Sequence, residues 1–276
     1  MKLYQMADAL RYPRMTTAEL RSTFLLEGLF RSGAIDLTYV DLDRAVIGSA
    51  VPTVSSLKLE TQSELRSEYF CERRELGVLN VGGRGTLTVG ETVFEMDKLD
   101  CAYVPRGSKD ISFSSKSEND PAAFYLLSYP AHCEHPLAMV KFNDLEPVRL
   151  GAVETCNKRA IYKAIYLDGL KSCQLVMGFT LLEKGSNWNT MPPHVHMRRS
   201  EVYLYFDMEA EHRVMHLMGP QEETRHLVVA DRQVVVSPGW SIHAGVGTSR
   251  YAFCWGMGGE NQDYSDMDGV AIIGLK

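Results

Sequence analysis

The segment "NTMPPHVHMRRSEVYLYFDM", residues 189–208, decides the fold of this chain. It carries two histidines, His194 and His196, two positions apart, and Glu201 follows five residues after the second. Its last part, "EVYLYF", has the β-branched and aromatic composition of a strand. Residues two apart on a strand face the same side. The segment therefore predicts two imidazoles and a carboxylate directed into one interior.

A fourth candidate ligand lies about forty residues later, in "VVVSPGWSIHAGV". Here His243 follows Pro238 by five positions, after a Pro-Gly turn. Three imidazoles and one carboxylate suit zinc, iron, manganese or nickel. A lone histidine among strands is usually only a hydrogen-bonded side chain. We give that interpretation to His212, His216 and His226, and we interpret "HCEH" (132–135) as an exposed turn.

Short strands dominate the chain from about Ile35 onward. "GVLNVGGRGTLTVGETVFEM" reads as three strands separated by glycine turns, and "AIYKAIYL", "CQLVMGFTLL", "RVMHLM" and "RHLVVA" continue the pattern. Many short strands with frequent turns indicate a β-sandwich or a small barrel.

One helix is expected before these strands, in "TTAELRSTFLLEGLF". Thr16 is placed to act as its N-cap, and Glu19 three residues later completes a capping-box pattern. We expect the helix to end at "RSG", with Gly33 as the stop.

A weak internal repeat divides the chain into halves. Glu201 has a counterpart in Glu75, which also follows an arginine pair, and the proline-to-His243 spacing has a counterpart in Pro105 and Asp110. We interpret this as two related barrels. Residues 1–150 would hold the helix and a degenerate barrel without a metal, and residues 151–276 would hold the metal-binding barrel. Chance similarity between such short segments is the alternative.

Composition limits the classes of function. The 276 residues are 45% hydrophobic and 23% charged, with a formal net charge of -6, which argues against a general nucleic-acid binder. No run has the length of a transmembrane helix, and the N-terminus does not resemble a signal peptide. The six cysteines form no C-x-x-C pair. We expect reduced thiols and a cytoplasmic protein.

Four longer segments of the chain resemble one specific family. "RYPRMTTAELRSTFLLEGLF", "ERRELGVLNVGG", "WNTMPPHVHMRRSEVY" and "WGMGGENQDYSDMD" are similar to segments of the 5-keto-4-deoxyuronate isomerases. The resemblance implies a mainly β bicupin fold, that is, two cupin (jelly-roll) barrels with a few peripheral helices. It also implies a homohexamer and one zinc ion per chain, and it carries the ligands over to His194, His196, Glu201 and His243.

The implied reaction belongs to the breakdown of pectin and other polyuronates. It interconverts 4-deoxy-L-threo-5-hexosulose uronate (5-dehydro-4-deoxy-D-glucuronate) and 3-deoxy-D-glycero-2,5-hexodiulosonate. A proton leaves C2 and one arrives at C1 through an enediolate, with the metal as Lewis acid and template. The base is not identified by the pattern. Glu223 is our first candidate, followed by Glu260 and Asp263, and a metal-bound hydroxide or a hydride shift stays open.

The carboxylate of such a substrate requires a local cation in this acidic chain. The candidates are Arg198, Arg199 and Arg225. We expect Arg225 to matter most, because it follows Glu223 by two residues and would share its side of a strand. Solvation of a loop is the alternative for the two adjacent arginines. Three further residues are candidate pocket walls: Trp188, Trp255 and Met257.

Two other classes of function use the same ligands. A metal-dependent cupin dioxygenase would contain iron and consume oxygen. A non-catalytic sugar-binding or regulatory cupin would bind its ligand tightly without turnover.

Overall fold

The computed structural model of the chain describes residues 1–260 and 266–276. This part is mainly β, as expected, with one α-helix, α1 (Thr17–Phe24), and short 3-10 turns at Tyr12–Arg14, Leu42–Arg44, Ser63–Leu65, Phe142–Asp144 and Ile272–Gly274. None of the helices in the described residues is both long enough and apolar enough to span a membrane. All six cysteines are free thiols.

The strands, in chain order, are β1 (Lys2–Tyr4), β2 (Leu25–Leu26), β3 (Ile35–Val40), β4 (Ala45–Ala50), β5 (Leu57–Lys58), β6 (Arg74–Asn80), β7 (Gly85–Val89), β8 (Thr92–Met96), β9 (Cys101–Val104), β10 (Ile111–Ser115), β11 (Phe124–Pro130), β12 (Ala138–Val140), β13 (Val148–Leu150), β14 (Arg159–Ile165), β15 (Val176–Leu182), β16 (Trp188–Asn189), β17 (His194–Val195), β18 (Arg199–Phe206), β19 (Val214–Gly219), β20 (Arg225–Val229), β21 (Val234–Ser237), β22 (Ile242–Gly247), β23 (Ala252–Gly259) and β24 (Asp268–Gly269).

The first compact unit has a seven-stranded sheet, in the order β1-β3-β4-β11-β6-β9-β12, and a four-stranded sheet, β5-β10-β7-β8. Its apolar core lies between them. Val78 and Phe124 enter this core from the larger sheet, and Leu87 and Phe113 enter from the smaller one. Their side chains are fully or almost fully buried, so the unit has a hydrophobic interior of its own.

The second compact unit repeats this arrangement. Its larger sheet has the order β13-β14-β15-β23-β18-β21-β2, and its smaller sheet has the order β16-β22-β19-β20. The run β15-β23-β18-β21 corresponds strand for strand to β4-β11-β6-β9, and the two smaller sheets also correspond in order. The matching strand order supports the internal repeat expected from the sequence.

The N-terminal helix begins as expected but is shorter. Thr16 accepts a hydrogen bond from the Glu19 backbone, and the Glu19 side chain accepts from the Thr16 backbone, which completes the capping box. The helix ends at Phe24, well before Gly33, because Leu25 and Leu26 form strand β2 and pair with β21. Pairing with a sheet edge satisfies backbone groups that a longer helix would otherwise have satisfied.

The chain is not divided into its two units at a single boundary near residue 150, which the sequence predicted. Residues Gln5–Glu27, which include α1, belong to the second unit, and Ala164–Met177 belong to the first. Side-chain contacts explain the position of the N-terminal segment. The rings of Tyr12 and Phe24 contact Trp240 edge-on, and the Tyr12 hydroxyl donates to the Met218 carbonyl at 2.9 Å.

The carboxylate of Glu75 is fully buried in the first unit, but it binds backbone amides. Its two oxygens accept hydrogen bonds from the amides of Cys173, Gln174 and Leu175 at 2.6–2.9 Å, and from the Tyr103 hydroxyl at 2.8 Å. All residues of the first unit are described, and among them no three His, Cys, Asp or Glu side chains have ligand atoms that all lie within 4.8 Å of one another. Glu75 therefore anchors the segment at 173–175.

Asp110 does not occupy the place of His243 within the fold. It is 73% exposed and pairs with Lys58. Strand β10 begins six residues after Pro105, whereas β22 begins four residues after Pro238. Aligning the two halves at these prolines therefore misaligns their strands by two residues. The second residue of β22 is His243, and the second residue of β10 is Ser112.

Replacing Glu75 with alanine should destabilise the first unit. Two buried donors and two half-buried donors would lose their acceptor, and each unsatisfied buried donor costs about 1–3 kcal/mol, so a loss of at least about 2 kcal/mol is expected. Urea denaturation followed by fluorescence measures it. Asp110→Ala is the control and should leave the midpoint nearly unchanged, because exposed ion pairs contribute little. Equal shifts in the two variants would contradict the anchoring role.

Candidate metal centre

Four side chains of the second unit converge on one point, and we call them the ligand group: His194, His196, Glu201 and His243. Their ligand atoms all lie within 4.8 Å of one another. The Nε2 atom of His194 lies 3.1 Å from that of His196 and 3.0 Å from that of His243. The Glu201 Oε2 atom lies 2.9 Å from His196 Nε2 and 2.8 Å from His243 Nε2.

The sheet register places these side chains together. Glu201 is the third residue of β18 and pairs with Met257 on one side and Ser237 on the other. His243 lies on β22 of the smaller sheet, opposite Met218. His194 lies on β17, which pairs with β24, and His196 lies in the turn before β18. The larger sheet thus contributes Glu201 and the smaller sheet contributes His243. The two histidines of the H-x-H pair converge as predicted, but β17 ends at Val195, so they do not share one strand.

The separations within the ligand group fit a single bound cation. Zinc bonds to imidazole nitrogen and carboxylate oxygen are about 2.0–2.2 Å long, so neighbouring ligands of one ion lie roughly 3 Å apart. The observed separations of 2.8–3.1 Å match this value. A cation at the centre of the group would accept the lone pairs of all three Nε2 atoms.

The protonation states suit metal binding. Burial and then the neighbouring His243 lower the pKa of His194 to about 3. Burial alone would raise the pKa of the Glu201 carboxyl, but His243 and the hydrogen bond with His196 hold that pKa well below its usual range. At neutral pH His194 is therefore neutral and Glu201 ionised, which are the forms that bind a cation.

Gly239 allows the ligand turn to pack closely. A Cβ atom at this position would lie 2.6 Å from the His196 carbonyl oxygen and 3.3 Å from that of Arg199. A backbone contact of that length cannot be relieved by a side-chain movement. A residue without a Cβ atom is therefore needed at position 239, directly after Pro238, to bring the β21–β22 turn against the ligand turn.

Arg199 is buried and supports His196. Its Nε and Nη2 atoms both lie 3.3 Å from His196 Nδ1, and Nη2 lies 2.5 Å from Asp266 Oδ1. Asp266 Oδ1 is itself 3.9 Å from His196 Nδ1. Arg199 can only donate, so Asp266 is the group on this side that is able to accept the Nδ1 proton that His196 carries when its Nε2 binds a metal, and Arg199 holds Asp266 in place. The structure places Arg199 behind a ligand, and it is not among the residues lining the cavity described next.

A cavity of about 250 Å³ opens beside the ligand group, within the second unit. Most of its walls are apolar. The lining residues are Val148, Leu150, Arg159, Ile161, Lys163, Thr180, Thr190, Pro192, His194, His196, Glu201, Tyr203, Phe253, Trp255, Met257 and Met267. Trp255 and Met257 are therefore pocket walls, as expected, whereas Trp188 is not part of this lining.

Two cations in this lining were not singled out by the sequence reasoning. Arg159 and Lys163 lie on β14, four residues apart, with Ile161 between them, and all three line the cavity. A signal was present in "RAIYKAI". Residues 159, 161 and 163 alternate with buried residues, so the two cations share the less buried face of the strand.

Glu223 and Arg225 are not brought to this cavity. They line a different cleft, beside Thr17 and Arg21 of α1. Arg225 begins β20, the edge strand of the smaller sheet, and its Nη1 donates to the Met15 carbonyl at 2.5 Å. Glu223 lies in the exposed turn before that strand. The inference that Glu223 and Arg225 share the metal's side of a strand is therefore wrong, because Glu223 precedes β20 and the edge position of this strand places Arg225 away from the ligand group.

Arg198 and Glu260 pair with each other on the surface. Their side chains are 64% and 73% exposed, and the charged atoms lie 3.8 Å apart. Neither residue lines the cavity. The third carboxylate candidate, Asp263, lies outside the described residues.

The remaining histidines have ordinary roles. His216 is buried and its Nδ1 lies 2.7 Å from the Tyr205 hydroxyl, His212 lies 3.1 Å from the Thr248 hydroxyl, and His226 is exposed. Residues 132–134 are exposed, in agreement with an interpretation as a turn.

Comparison with known proteins places the chain in a family. The model described as the KduI/IolB family matches residues 27–270. The chain belongs to this family. It is 51% identical over 261 residues to the 4-deoxy-L-threo-5-hexosulose-uronate ketol-isomerase of Shouchella clausii (strain KSM-K16), with 95% of each chain covered. It is 48% identical over 263 residues to the enzyme of the same name from Bacillus subtilis (strain 168), again with 95% of each covered.

Solved structures share the fold at low sequence identity. An IolB-like protein from Salmonella typhimurium LT2 superimposes with a TM-score of 0.68 at 15% identity, over 90% of this chain and 97% of that one. Oxalate decarboxylase from Lactobacillus farciminis gives a TM-score of 0.58 at 11% identity, over 82% and 78% of the two chains. The chain has the bicupin fold that the resemblance implied.

Removing one member of the ligand group should remove the metal. We expect about one ion per chain in the purified protein, and His194→Ala or His243→Ala should bind it at least about 100-fold more weakly, since even supporting residues around a metal contribute 10- to 100-fold. Elemental mass spectrometry after gel filtration measures the content. His226→Ala removes an exposed histidine and should keep the full content. Two ions per chain, or full content in the ligand variants, would contradict this assignment.

Proposed function

We propose that this protein is a 4-deoxy-L-threo-5-hexosulose-uronate ketol-isomerase that acts in the breakdown of pectin and related polyuronates. The observation that carries the proposal is the ligand group at the wall of an otherwise apolar cavity. Relatives at 48–51% identity over 95% of each chain bear this enzyme name, which supports the same reaction here.

Zinc is the ion that we propose for the ligand group, one per chain, held by His194, His196, Glu201 and His243. Three nitrogens and one oxygen in a buried site form a donor set that zinc accepts readily. When bound, the ion would act as a Lewis acid on the oxygen atoms at the reacting end of the sugar.

The cavity walls hold the substrate and limit the access of water to it. Phe253, Trp255 and Met257 are nearly fully buried and lie on β23, beside β18. The Trp255 indole nitrogen donates to the Thr180 hydroxyl at 3.2 Å, which fixes the ring in the wall. A rigid apolar wall favours one orientation of the substrate and strengthens polar interactions within the cavity.

Tyr203 is the group that we assign to proton transfer. Tyr203 lines the cavity, and its hydroxyl lies 3.0 Å from that of Thr190, which lines the same cavity, and can hold or release a proton at Oη. The Tyr203 ring lies 5.5 Å from the ring of His243, a member of the ligand group. Among the described lining residues, Glu201 is the sole carboxylate, and it belongs to the ligand group.

Conversion of the substrate tests the proposal directly. The unsaturated uronate released by a pectate lyase rearranges to the 5-keto sugar, and NMR should show its isomerisation by the purified protein. A chelator should stop the reaction and zinc should restore it. In deuterated water, a proton transfer places deuterium at C1, whereas a hydride shift does not. Oxygen uptake with bound iron, or tight binding without turnover, would contradict the isomerase.

Tyr203→Phe in the same assay separates the proton-transfer role from binding. A general acid–base group contributes about 10²–10⁴-fold, so kcat should fall by at least 100-fold while KM and zinc content change little. An unchanged kcat would remove Tyr203 from this role.

We further propose that the protein is a cytoplasmic homohexamer, as the resemblance implies. Six chains of 31.0 kDa would give a particle six times that mass. Light scattering coupled to gel filtration measures the mass, and a value near that of a single chain would exclude the hexamer.

A further inference from the structure

We propose that Arg159 and Lys163 form an anion subsite that binds the carboxylate of the substrate, at the end of the cavity away from the ligand group. The inference rests on the proposed function, because it names the group that orients a uronate in that reaction. It also replaces the three arginines expected from the sequence with two residues of a different strand.

The geometry of β14 supports the subsite. Successive side chains of a strand alternate between its faces. Ala160, Tyr162 and Ala164 are buried, whereas Arg159 and Lys163 are half-buried and line the cavity. The strand therefore presents two cations to the same space, with only the apolar Ile161 between them.

The charges in the cavity divide between two ends. The described lining contains one carboxylate, Glu201, which belongs to the ligand group, and it contains two cations, both on β14. A divalent ion bound to the ligand group would offset the charge of Glu201, and Arg159 and Lys163 lie on a different strand of the same lining. A second anion entering the cavity would meet both. The chain has a net charge of -6, but the two cations make this part of the lining positive, which favours an anionic ligand.

The size of the cavity suits a six-carbon uronate. Strand β14 is three strands away from β18 in the order β14-β15-β23-β18, which corresponds to about 14 Å along the sheet at about 4.8 Å per strand. An extended six-carbon chain has five C–C bonds of about 1.5 Å and spans roughly 6 Å. The long side chains of Lys163 and Glu201 reach into the remaining distance from the two sides.

Arg159 is held ready for such a contact. One of its guanidinium nitrogens, Nη1, donates to the Asn157 carbonyl at 2.9 Å, which restricts the side chain before a ligand arrives. A restricted guanidinium loses less entropy when it binds a carboxylate, and its planar fork can offer two parallel hydrogen bonds. Lys163 adds a compact positive charge on a flexible side chain, which can adjust to the position of the carboxylate.

The arginines that we first considered have other contacts. Arg198 pairs with Glu260 on the surface, Arg199 supports His196 from behind, and Arg225 binds the Met15 carbonyl in a separate cleft. The two residues of β14 are the cations among the described residues that line this cavity.

The test compares two substrates that differ only at C6: the 5-keto uronate and its analogue with a C6 alcohol. Lys163→Met should raise KM for the uronate by about 10- to 100-fold, the range for losing a hydrogen bond to a charged group. It should leave KM for the alcohol, the zinc content and the thermal midpoint close to those of the unchanged protein. Lys163→Arg should restore most of the uronate affinity, because it restores the charge. Arg159→Lys should show an intermediate loss on the uronate alone.

Lys184→Met is the matched control. It removes the same charge from the exposed turn after β15 and should discriminate between the two substrates as the unchanged protein does. Equal losses on both substrates in Lys163→Met and Arg159→Lys, or an unchanged KM for the uronate in both, would overturn the anion subsite and leave the isomerase intact. Failure of the unchanged protein to convert the uronate would contradict the proposed function itself.

Discussion

The second unit depends on the burial of three imidazoles and one carboxylate at a single point inside a β-barrel. Isolated, each of these groups would be costly to remove from water. Together they contact one another at 2.8–3.1 Å, and their protonation states adjust so that Glu201 stays ionised and His194 neutral. The strand register, the glycine turn at Gly239 and the support behind His196 all serve to hold this group in place.

The two halves show two ways of satisfying a buried glutamate on equivalent strands. In the second unit, Glu201 lies among imidazoles and has the surroundings of a metal ligand. In the first unit, Glu75 accepts three backbone amides and a hydroxyl, so its oxygens are fully engaged without an ion. Both solutions obey the rule that a buried carboxylate must be paired or hydrogen-bonded. The fold thus accommodates a glutamate on this strand in two different surroundings, in agreement with the repeat around Glu75 and Glu201 in the sequence.

The strands could be predicted from their composition and short-range alternation. His194, His196 and Glu201 were predicted together because they are close in sequence, whereas His243, about forty residues later, was identified by its position after the Pro-Gly turn and by the family resemblance. Spacing does not reveal where a strand lies in a sheet, however. Arg225 was expected on the side of the ligand group, but its strand is at the edge of the smaller sheet, where α1 and the N-terminal segment cover it. The end of α1 was missed for a related reason, since pairing with β21 overrode a helical pattern.

Strand β14 adds a second set of polar groups to the cavity, beside the ligand group. The ligand group contributes His194, His196 and Glu201 to the lining, strand β14 contributes Arg159 and Lys163, and most of the other lining residues are apolar. A sugar with polar groups at both ends would be held at two points, and two-point attachment fixes which carbon lies beside the metal end. Orientation of this kind is a large part of catalysis, because a misplaced carbon must pay for its alignment in the transition state. On the proposal made above, the two cations of β14 would favour anionic substrates over neutral carbonyl compounds.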